Sequence, residues 1–475
     1  MLTVLQMYYV GISGALFLYA VYTPRNAVRA FAPALALNVF PLAALPYMSM
    51  DIARLGGMPL VYLPMTAIGL AMIVRNGLRL PRRFLLLYIF VALYLVYTFS
   101  NTVLARGISA SNLMYWLAWP LNFLIFIAAA SIVARLEPGA TDRMLHRCVQ
   151  VLVAASIVGL ARYAVGIETD ANFIPLMNRN GTVVLIALLF PLVFHVHATQ
   201  GKSRTWLLVC AGTIALCVTL TFSRSGLLGL LAGTVLYYWR FSLMGLLKFC
   251  TAVLVIALFL ASGIAERTTE RLLMSARTVS AMAEGREVDR SIGDHNRVIL
   301  VNSAIATAKK HFWFGTGLGM ENYREGLRKA SLLPVTSKAH NFYLSYFTEL
   351  GLIGFALLLA ILQRVYAGLA PMGSPFRAFR TSFLVMALMM TMNEYILLPE
   401  LWLFFGVLSG ISQRLTSSVT SHTARAMPAR RPAYATQAVP AGRSIRSMLA
   451  PGRTWSAAAG HTAPLSNAAS GGRHG

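Results

Sequence analysis

The sequence predicts an all-α, polytopic membrane protein of about 12 transmembrane helices (12 or 13), with one large, partly helical outer loop. Three observations predict it. The chain is 57% hydrophobic and only 12% charged, whereas soluble chains are about a quarter charged. Its apolar residues gather into runs long enough to cross about 30 Å of hydrocarbon, as in LMYWLAWPLNFLIFIAAASIVA at 113–134. The short alternating strands that a transmembrane β-barrel needs are absent from the pattern.

The apolar segments are 2–22, 30–47, 57–75, 84–99, 113–134, 148–167, 181–197, 206–222, 226–239, 246–264, 342–363, 379–395 and 399–413. No small-residue cleavage site follows a basic start, so the first run is expected to remain as a helix. The second run holds Pro33, Pro41 and Pro46 and suits a broken or re-entrant segment, which membranes tolerate where protein covers the backbone. Counting it as a span gives 13 crossings and an N-terminus outside. Leaving it out gives 12, with both ends inside and PRNAVR (24–29) awkwardly placed.

Sidedness follows from the basic connectors RNGLRLPRR (75–83), ARLEPGATDRMLHR (134–147), HATQGKSR (197–204) and the tail after Arg414. Short positive loops stay in the cytoplasm, so these four mark the inner face. Connectors such as ETDAN (168–172) then face outward. The net charge of +25 does not indicate nucleic acid. Eight of the arginines fall within 401–475, where there is no acid, and much of the rest lies in the short loops.

Five regions result: N-terminal helices (1–204), helices carrying the SRSG turn (205–264), a large outer loop (265–341), C-terminal helices (342–415) and a basic tail (416–475). The outer loop carries 12 Lys or Arg and 8 Asp or Glu, half of all the acids in the chain. Loops beyond roughly 60 residues escape the positive-inside rule. Within it, ERTTERLLMSARTVSAMAE and NRVILVNSAIATAKKHFWF have helical apolar spacing. The tail has few large apolar residues; disorder and attraction to anionic inner-leaflet lipid are expected of it.

Several polar residues stand where a membrane protein has little reason to keep them. Arg224 lies in TFSRSGLLG, a tight outer turn between two apolar runs, and ionisable groups in such places are functional candidates. Arg297 opens an amphipathic stretch of the outer loop and taken alone suits a surface residue. Glu349 falls inside an apolar helix about 13 Å deeper than His340. A buried carboxylate needs a partner, and an arginine from a neighbouring helix is expected. Gly351 and Gly354 suit close helix approach. GTGLG (315–319) has the look of a phosphate-cradling turn but lacks the strand and lysine of a P-loop.

Of the nine histidines, only His295, His311 and His340 face outward. His340 alone stands where a lipid-linked substrate would present its head group, and an imidazole is a natural proton acceptor near neutral pH. Asn341 suits either a helix cap or a substrate contact. The four cysteines lie in or beside apolar runs without metal-ligand spacing.

As an ordered set these residues resemble the O-antigen ligase family, which shares a C-terminal module with O-antigen polymerases and bacterial protein O-oligosaccharyltransferases. The resemblance rests on SRSG (223–226), Arg297, WFGTGLG (313–319) and His340-Asn341 followed after nine residues by Gly351-x-x-Gly354. It implies a metal-independent, inverting glycosyl transfer on the periplasmic face of a Gram-negative inner membrane, with no cofactor. The donor would be O-antigen polysaccharide on undecaprenyl pyrophosphate, and the acceptor a lipid A–core sugar hydroxyl. It implies that His340 is the general base and that Arg224 and Arg297 hold the pyrophosphate. Arg162, Asn180, Asn341 and Glu349 are candidate substrate contacts, and no metal ligands are expected. The pair of acid groups EVD (287–289) and IGD (292–294) lies in a mixed-charge loop.

Two readings with the same donor class remain, a polymerase and a protein O-oligosaccharyltransferase; the His-Asn-x9-Gly-x-x-Gly pattern favours a ligase. A transporter or flippase is the alternative of a different kind. It would carry its charges at the midplane of its spans, whereas here the unusual charges gather around one outer loop.

Overall fold

Inside hydrocarbon every backbone N–H and C=O must find its partner within the protein, which favours helices; the expected run 246–264 lies outside the described residues. The computed structural model describes residues 4–39, 54–55, 58–59, 63–77, 81–107, 109–166, 179–221, 223–238, 280, 295–330, 338–392, 394 and 396–426. Its helices are α1 (Val4–Tyr22), α2 (Pro24–Val39), α3 (Leu63–Asn76), α4 (Leu85–Arg106), α5 (Ala110–Val133), α6 (Pro138–Ala164), α7 (Arg179–Leu189), α8 (Pro191–Thr199), α9 (Arg204–Leu220) and α10 (Arg224–Tyr238). Then follow α11 (His295–Lys310), α12 (Met320–Ala330), α13 (Phe342–Ala367), α14 (Ala378–Met389) and α15 (Pro399–Ala426). The strand pairing among the described residues is a two-residue hairpin, Arg54–Leu55 against Met58–Pro59.

Among the described residues four helices are long and apolar enough to cross a membrane: those over Arg82–Ala105, Ala110–Val133, Pro138–Ala164 and Phe342–Ala367. Shorter apolar helices pack around them. The fold is all-helical, as expected. Pro33 lies inside α2 without ending it, while Pro41 and Pro46 fall outside the described residues. Helix α15 runs on to Ala426, past the last apolar run, so the start of the expected disordered tail is helical. Residues 423–475 form a separate unit, and 427–475 lie outside the described residues.

The basic connectors gather at one end of the bundle. Arg25 donates to Glu137 at 2.5 Å, and Arg135 donates to the Asn76 side chain at 2.8 Å. Arg414 reaches the Leu136 carbonyl at 2.9 Å and the Thr141 hydroxyl at 3.0 Å. Gln200 donates to the Asp142 carbonyl and pairs with His146. PRNAVR therefore sits with the other basic connectors, and α1 begins at the opposite end.

The middle of the bundle is an aromatic cluster. Trp119 meets Tyr94, Tyr346 and Trp402 edge-on, with ring centres 5.1, 5.7 and 6.3 Å apart. Helix α15 reaches this cluster because Gly406 and Gly410 lie against the α5 backbone at Phe126 and Ala130. Small residues four apart are how helices approach closely where lipid supplies no hydrophobic drive.

Candidate active site

The segment that carries His340 is built from a broken helix. Helix α13 starts at Phe342, with Asn341 as its N-cap; the Asn341 side-chain oxygen accepts the Leu344 N–H at 3.0 Å. Capping is thus the role the geometry gives Asn341. Nine residues on, Gly351 has φ 63° and ψ −173°, and the helical path is interrupted there. Glycine adopts this conformation without the strain a side chain would bring.

The interruption is filled by WFGTGLG. The Thr316 N–H donates to the Thr348 carbonyl at 2.9 Å and the Gly317 N–H to the Glu349 carbonyl at 3.0 Å. In return, the Leu352 N–H reaches the Phe312 carbonyl at 2.8 Å and the Ile353 N–H the Trp313 carbonyl at 3.3 Å. Tyr97 of α4 closes the set by donating to the Leu350 carbonyl at 2.6 Å. The backbone groups that lose helical partners at the break find others here, as burial requires. GTGLG is therefore a docking turn for α13 in this structure. Gly354 does serve close approach, because a side chain there would strike the Tyr97 ring.

Glu349 sits just before the break and is fully buried. Its partner is not the arginine of a neighbouring helix that the sequence suggested. It is Lys338, two residues before His340, whose ammonium forms an ion pair with the carboxylate. The chain reverses at His340, so a residue that precedes the helix folds back along its first turns. Glu349 also accepts the Gly319 N–H at 3.3 Å, tying the docking turn to the same carboxylate.

Lys338 lies in an aromatic box. Its ammonium donates to the Tyr115 hydroxyl at 2.6 Å and stands 4.8, 4.9 and 5.8 Å from the ring centres of Tyr115, Tyr346 and Tyr323. Cation–π attraction of this kind strengthens when water is excluded. Burial alone would lower the lysine, but Glu349, Tyr346 and Glu394 outweigh it and hold its pKa above the ordinary range.

Glu394 is the acid that the sequence reading passed over. It falls within the expected apolar run 379–395, but α14 ends at Met389 and Glu394 lies in the connection before Pro399. Its carboxylate accepts from the Ser345 hydroxyl and stands 3.9 Å from Lys338. Burial, with a smaller push from Glu349, raises its carboxyl from 4.5 to about 7 despite the opposing pull of Lys338 and Ser345. One ammonium thus serves two acidic side chains. The only sequence signal was an acid closing an apolar run.

Two predictions arise here. Lys338→Met removes the cation that pairs with fully buried Glu349, and the loss of one partner of a buried ion pair costs about 3–5 kcal/mol. Thermal unfolding of the detergent-solubilised variant should show a large drop in midpoint. The second concerns pH. A carboxyl raised in the fold favours the folded state below its unfolded value, and this advantage is lost as pH rises through about 7. Relative to Glu394→Gln, the native protein should lose up to about 3 kcal/mol between pH 4.5 and pH 8, read from unfolding midpoints across that range.

The helix registers show where the other candidates lie. In α10, Gly229 and Gly233 meet Met389 and Val385 of α14, and the Tyr237 carbonyl accepts from Arg377 at 3.1 Å. The two helices are antiparallel, which puts Arg224 near the Met389 end. That same end of α14 bonds the start of α13, from the Phe342 N–H to the Met390 carbonyl at 2.9 Å. Arg224 opens α10, and the Ser223 hydroxyl lies 3.4 Å from the Gly226 N–H.

Helix α11, by contrast, runs parallel to α13. Phe312 bonds Leu352 at its far end, and the Ala304 carbonyl accepts from Thr348 at 3.3 Å. Val301 and Ala304 pack in one cluster with Ala339 and Leu344. Arg297, seven residues before Ala304, is about 10 Å further towards His340 along the axis. Its side chain lies outside the described residues, as does that of Asn180 in the first turn of α7. Half-buried Arg162 lies in the last turn of α6, at the end away from Asp142 and Gln200. His340 itself is exposed. EVD and IGD, together with ERTTERLLMSARTVSAMAE apart from Ser280, fall outside the described residues.

Fold and site together define a multi-pass helical membrane protein with a buried ionic cluster beneath an exposed histidine, at the end away from its basic connectors. Residues 206–359 match the family model described as O-Antigen ligase, a family of glycosyltransferase-like membrane enzymes. The match takes in Arg224, Arg297, WFGTGLG, His340 and both glycines of the break. No curated protein matches the chain.

Proposed function

We propose that this protein is an O-antigen ligase of a Gram-negative inner membrane, acting at the periplasmic face without a metal ion or cofactor. It transfers O-antigen polysaccharide from undecaprenyl pyrophosphate to a sugar hydroxyl of lipid A–core, with inversion. The observation that carries the reading is the family match over 206–359, which contains every motif of the resemblance. Helix registers that direct the starts of α10, α11 and α13 to one end support it.

In this reading Arg224 and Arg297 bind the pyrophosphate and stabilise the charge that grows on it as the glycosidic bond breaks. A guanidinium presents paired N–H donors to phosphate oxygens. Arg224 also opens a helix, so an anion beside it meets the positive end of the helix dipole. His340 accepts the proton of the acceptor hydroxyl as that oxygen attacks the anomeric carbon from the face opposite the pyrophosphate. Arg162 and Asn180 are assigned to the donor. Asn341 and Glu349 contribute through the cap and the ion pair. Thirteen crossings, with the N-terminus outside and the basic connectors in the cytoplasm, is the topology that the placement of PRNAVR favours.

The test is transfer by the purified protein in proteoliposomes, with undecaprenyl-pyrophosphate-linked glycan, lipid A–core and a chelator. Glycosylated lipid A–core is expected. Extension of the lipid-linked glycan instead would establish a polymerase, and loss of transfer on chelation would overturn metal independence. In the same assay Arg224→Lys should raise the donor KM or lower kcat by on the order of 100-fold, because an ammonium cannot reproduce the fork.

A further inference from the structure

The arginines of PRNAVR, for which the transfer reaction has no use, face those of a second helix. Arg25 and Arg29 of α2 and Arg143 and Arg147 of α6 line one cleft at the basic end of the bundle, with a volume of about 290 Å³. The two helices pack along each other and both begin at this end. There Arg25, in the first turn of α2, pairs with Glu137, the residue just ahead of α6.

Glu137 is the acid among the lining residues, and Arg25 takes it. Arg29, Arg143 and Arg147 are exposed and form no ion pair among the described residues. Four arginines against one carboxylate leave the cleft with three positive charges in excess.

Such a gathering is unfavourable by itself. Within each helix the two arginines are four residues apart and share a face, and like charges at that spacing destabilise a helix. The rule that keeps basic residues in the cytoplasm counts charges in the connectors and does not ask them to meet. Their convergence calls for an anion between them.

The position of the cleft indicates what carries that anion. Beyond Arg29, α2 continues as AFAPALALNV, and beyond Arg147, α6 continues as CVQVLVAASIVGLA. Val28, Ala32 and Met144 are buried and give the cleft an apolar lining between its arginines. The guanidinium groups thus stand where polar connectors give way to apolar spans, the level of phospholipid head groups. A soluble anion would have no use for the apolar part.

We propose that this cleft binds the head group of an anionic phospholipid, and best one with two phosphodiesters, such as diphosphatidylglycerol. Guanidinium groups present paired N–H donors to phosphate oxygens, and basic pockets between spans recognise head groups of this kind. Two phosphodiesters bring two negative charges to the excess on the arginines. The acyl chains lie along the apolar continuations of α2 and α6. The site is at the opposite end of the bundle from His340 and does not depend on the reaction assigned there.

The experiment follows the unfolding midpoint of the purified full-length protein, stripped of lipid in a neutral detergent. It is titrated with diphosphatidylglycerol, phosphatidylglycerol, phosphatidylcholine or inorganic phosphate. Diphosphatidylglycerol should raise the midpoint saturably, as a ligand of the folded state does. Phosphatidylglycerol should act more weakly at equal phosphate, and phosphatidylcholine and inorganic phosphate should leave the midpoint unchanged.

The triple variant Arg29→Gln, Arg143→Gln, Arg147→Gln should lose apparent affinity for diphosphatidylglycerol by on the order of 100-fold, the share of three basic contacts with an anionic lipid. A control triple, Arg82→Gln, Lys202→Gln, Arg364→Gln, removes the same charge from other places at this end and should keep the native affinity. If the first triple does not accumulate, Arg143→Gln and Arg147→Gln carry the comparison singly, each losing about fivefold. Equal stabilisation by phosphatidylcholine, stabilisation by inorganic phosphate in place of lipid, or an equal loss in the control overturns the proposal.

Discussion

His340→Ala should abolish ligation, lowering transfer to lipid A–core by about 10²–10⁴-fold, the contribution of a positioned general base. Protein levels in the membrane should remain normal, because the side chain is exposed and the anchors of its turn belong to its neighbours. The measurement is kcat in proteoliposomes, paired with the O-antigen content of lipopolysaccharide in cells that make only the variant. Donor binding should persist, since the arginines are untouched. A fall in kcat without a matching rise in donor KM is the signature of a group that acts in the transition state.

Gly351→Ala should be the most disruptive substitution at the helix break. Two penalties add. The φ of 63° is strained for any residue with a Cβ, and the added methyl would point at the backbone nitrogens of Phe314 and Gly315. Backbone has no rotamer through which to retreat, so the docking turn must shift and its hydrogen bonds with it. A loss of about 3–5 kcal/mol is expected, at the high end for single substitutions. It should appear as a lower unfolding midpoint and less protein in the membrane. Gly354→Ala meets a side chain instead, the Tyr97 ring, and should cost less.

What could be read in the sequence divides along physical lines. Helical class follows from composition and run length alone, because hydrocarbon leaves the backbone few choices. His340, Asn341, Gly351 and Gly354 were legible as a pattern, and the Asn341 cap was one of two roles open to it. The ion pair of Glu349 was legible as a need, since a buried carboxylate demands a cation. Its identity was not. Lys338 lies ahead of α13, and only the reversal at His340 folds it back towards the helix. Glu394 was hidden for a related reason. An acid ending an apolar run reads as an interfacial residue, and nothing local says that the run stops being helical five residues earlier. The link between WFGTGLG and Gly351 was illegible too. Each glycine motif has a satisfactory local explanation, and the hydrogen bonds that join them link residues 32 or 40 positions apart.

That join has a consequence for how the sequence can vary. Where the docking turn meets the break, four backbone pairs are specified across the two segments, so the residue count of 312–317 and of 348–353 is fixed as strictly as the teeth of two meshed gears. Chemical similarity cannot compensate for a tooth gained or lost: inserting even an alanine between Trp313 and Thr316 would move every later pairing out of step. Length, more than residue type, is what this part of the chain must preserve.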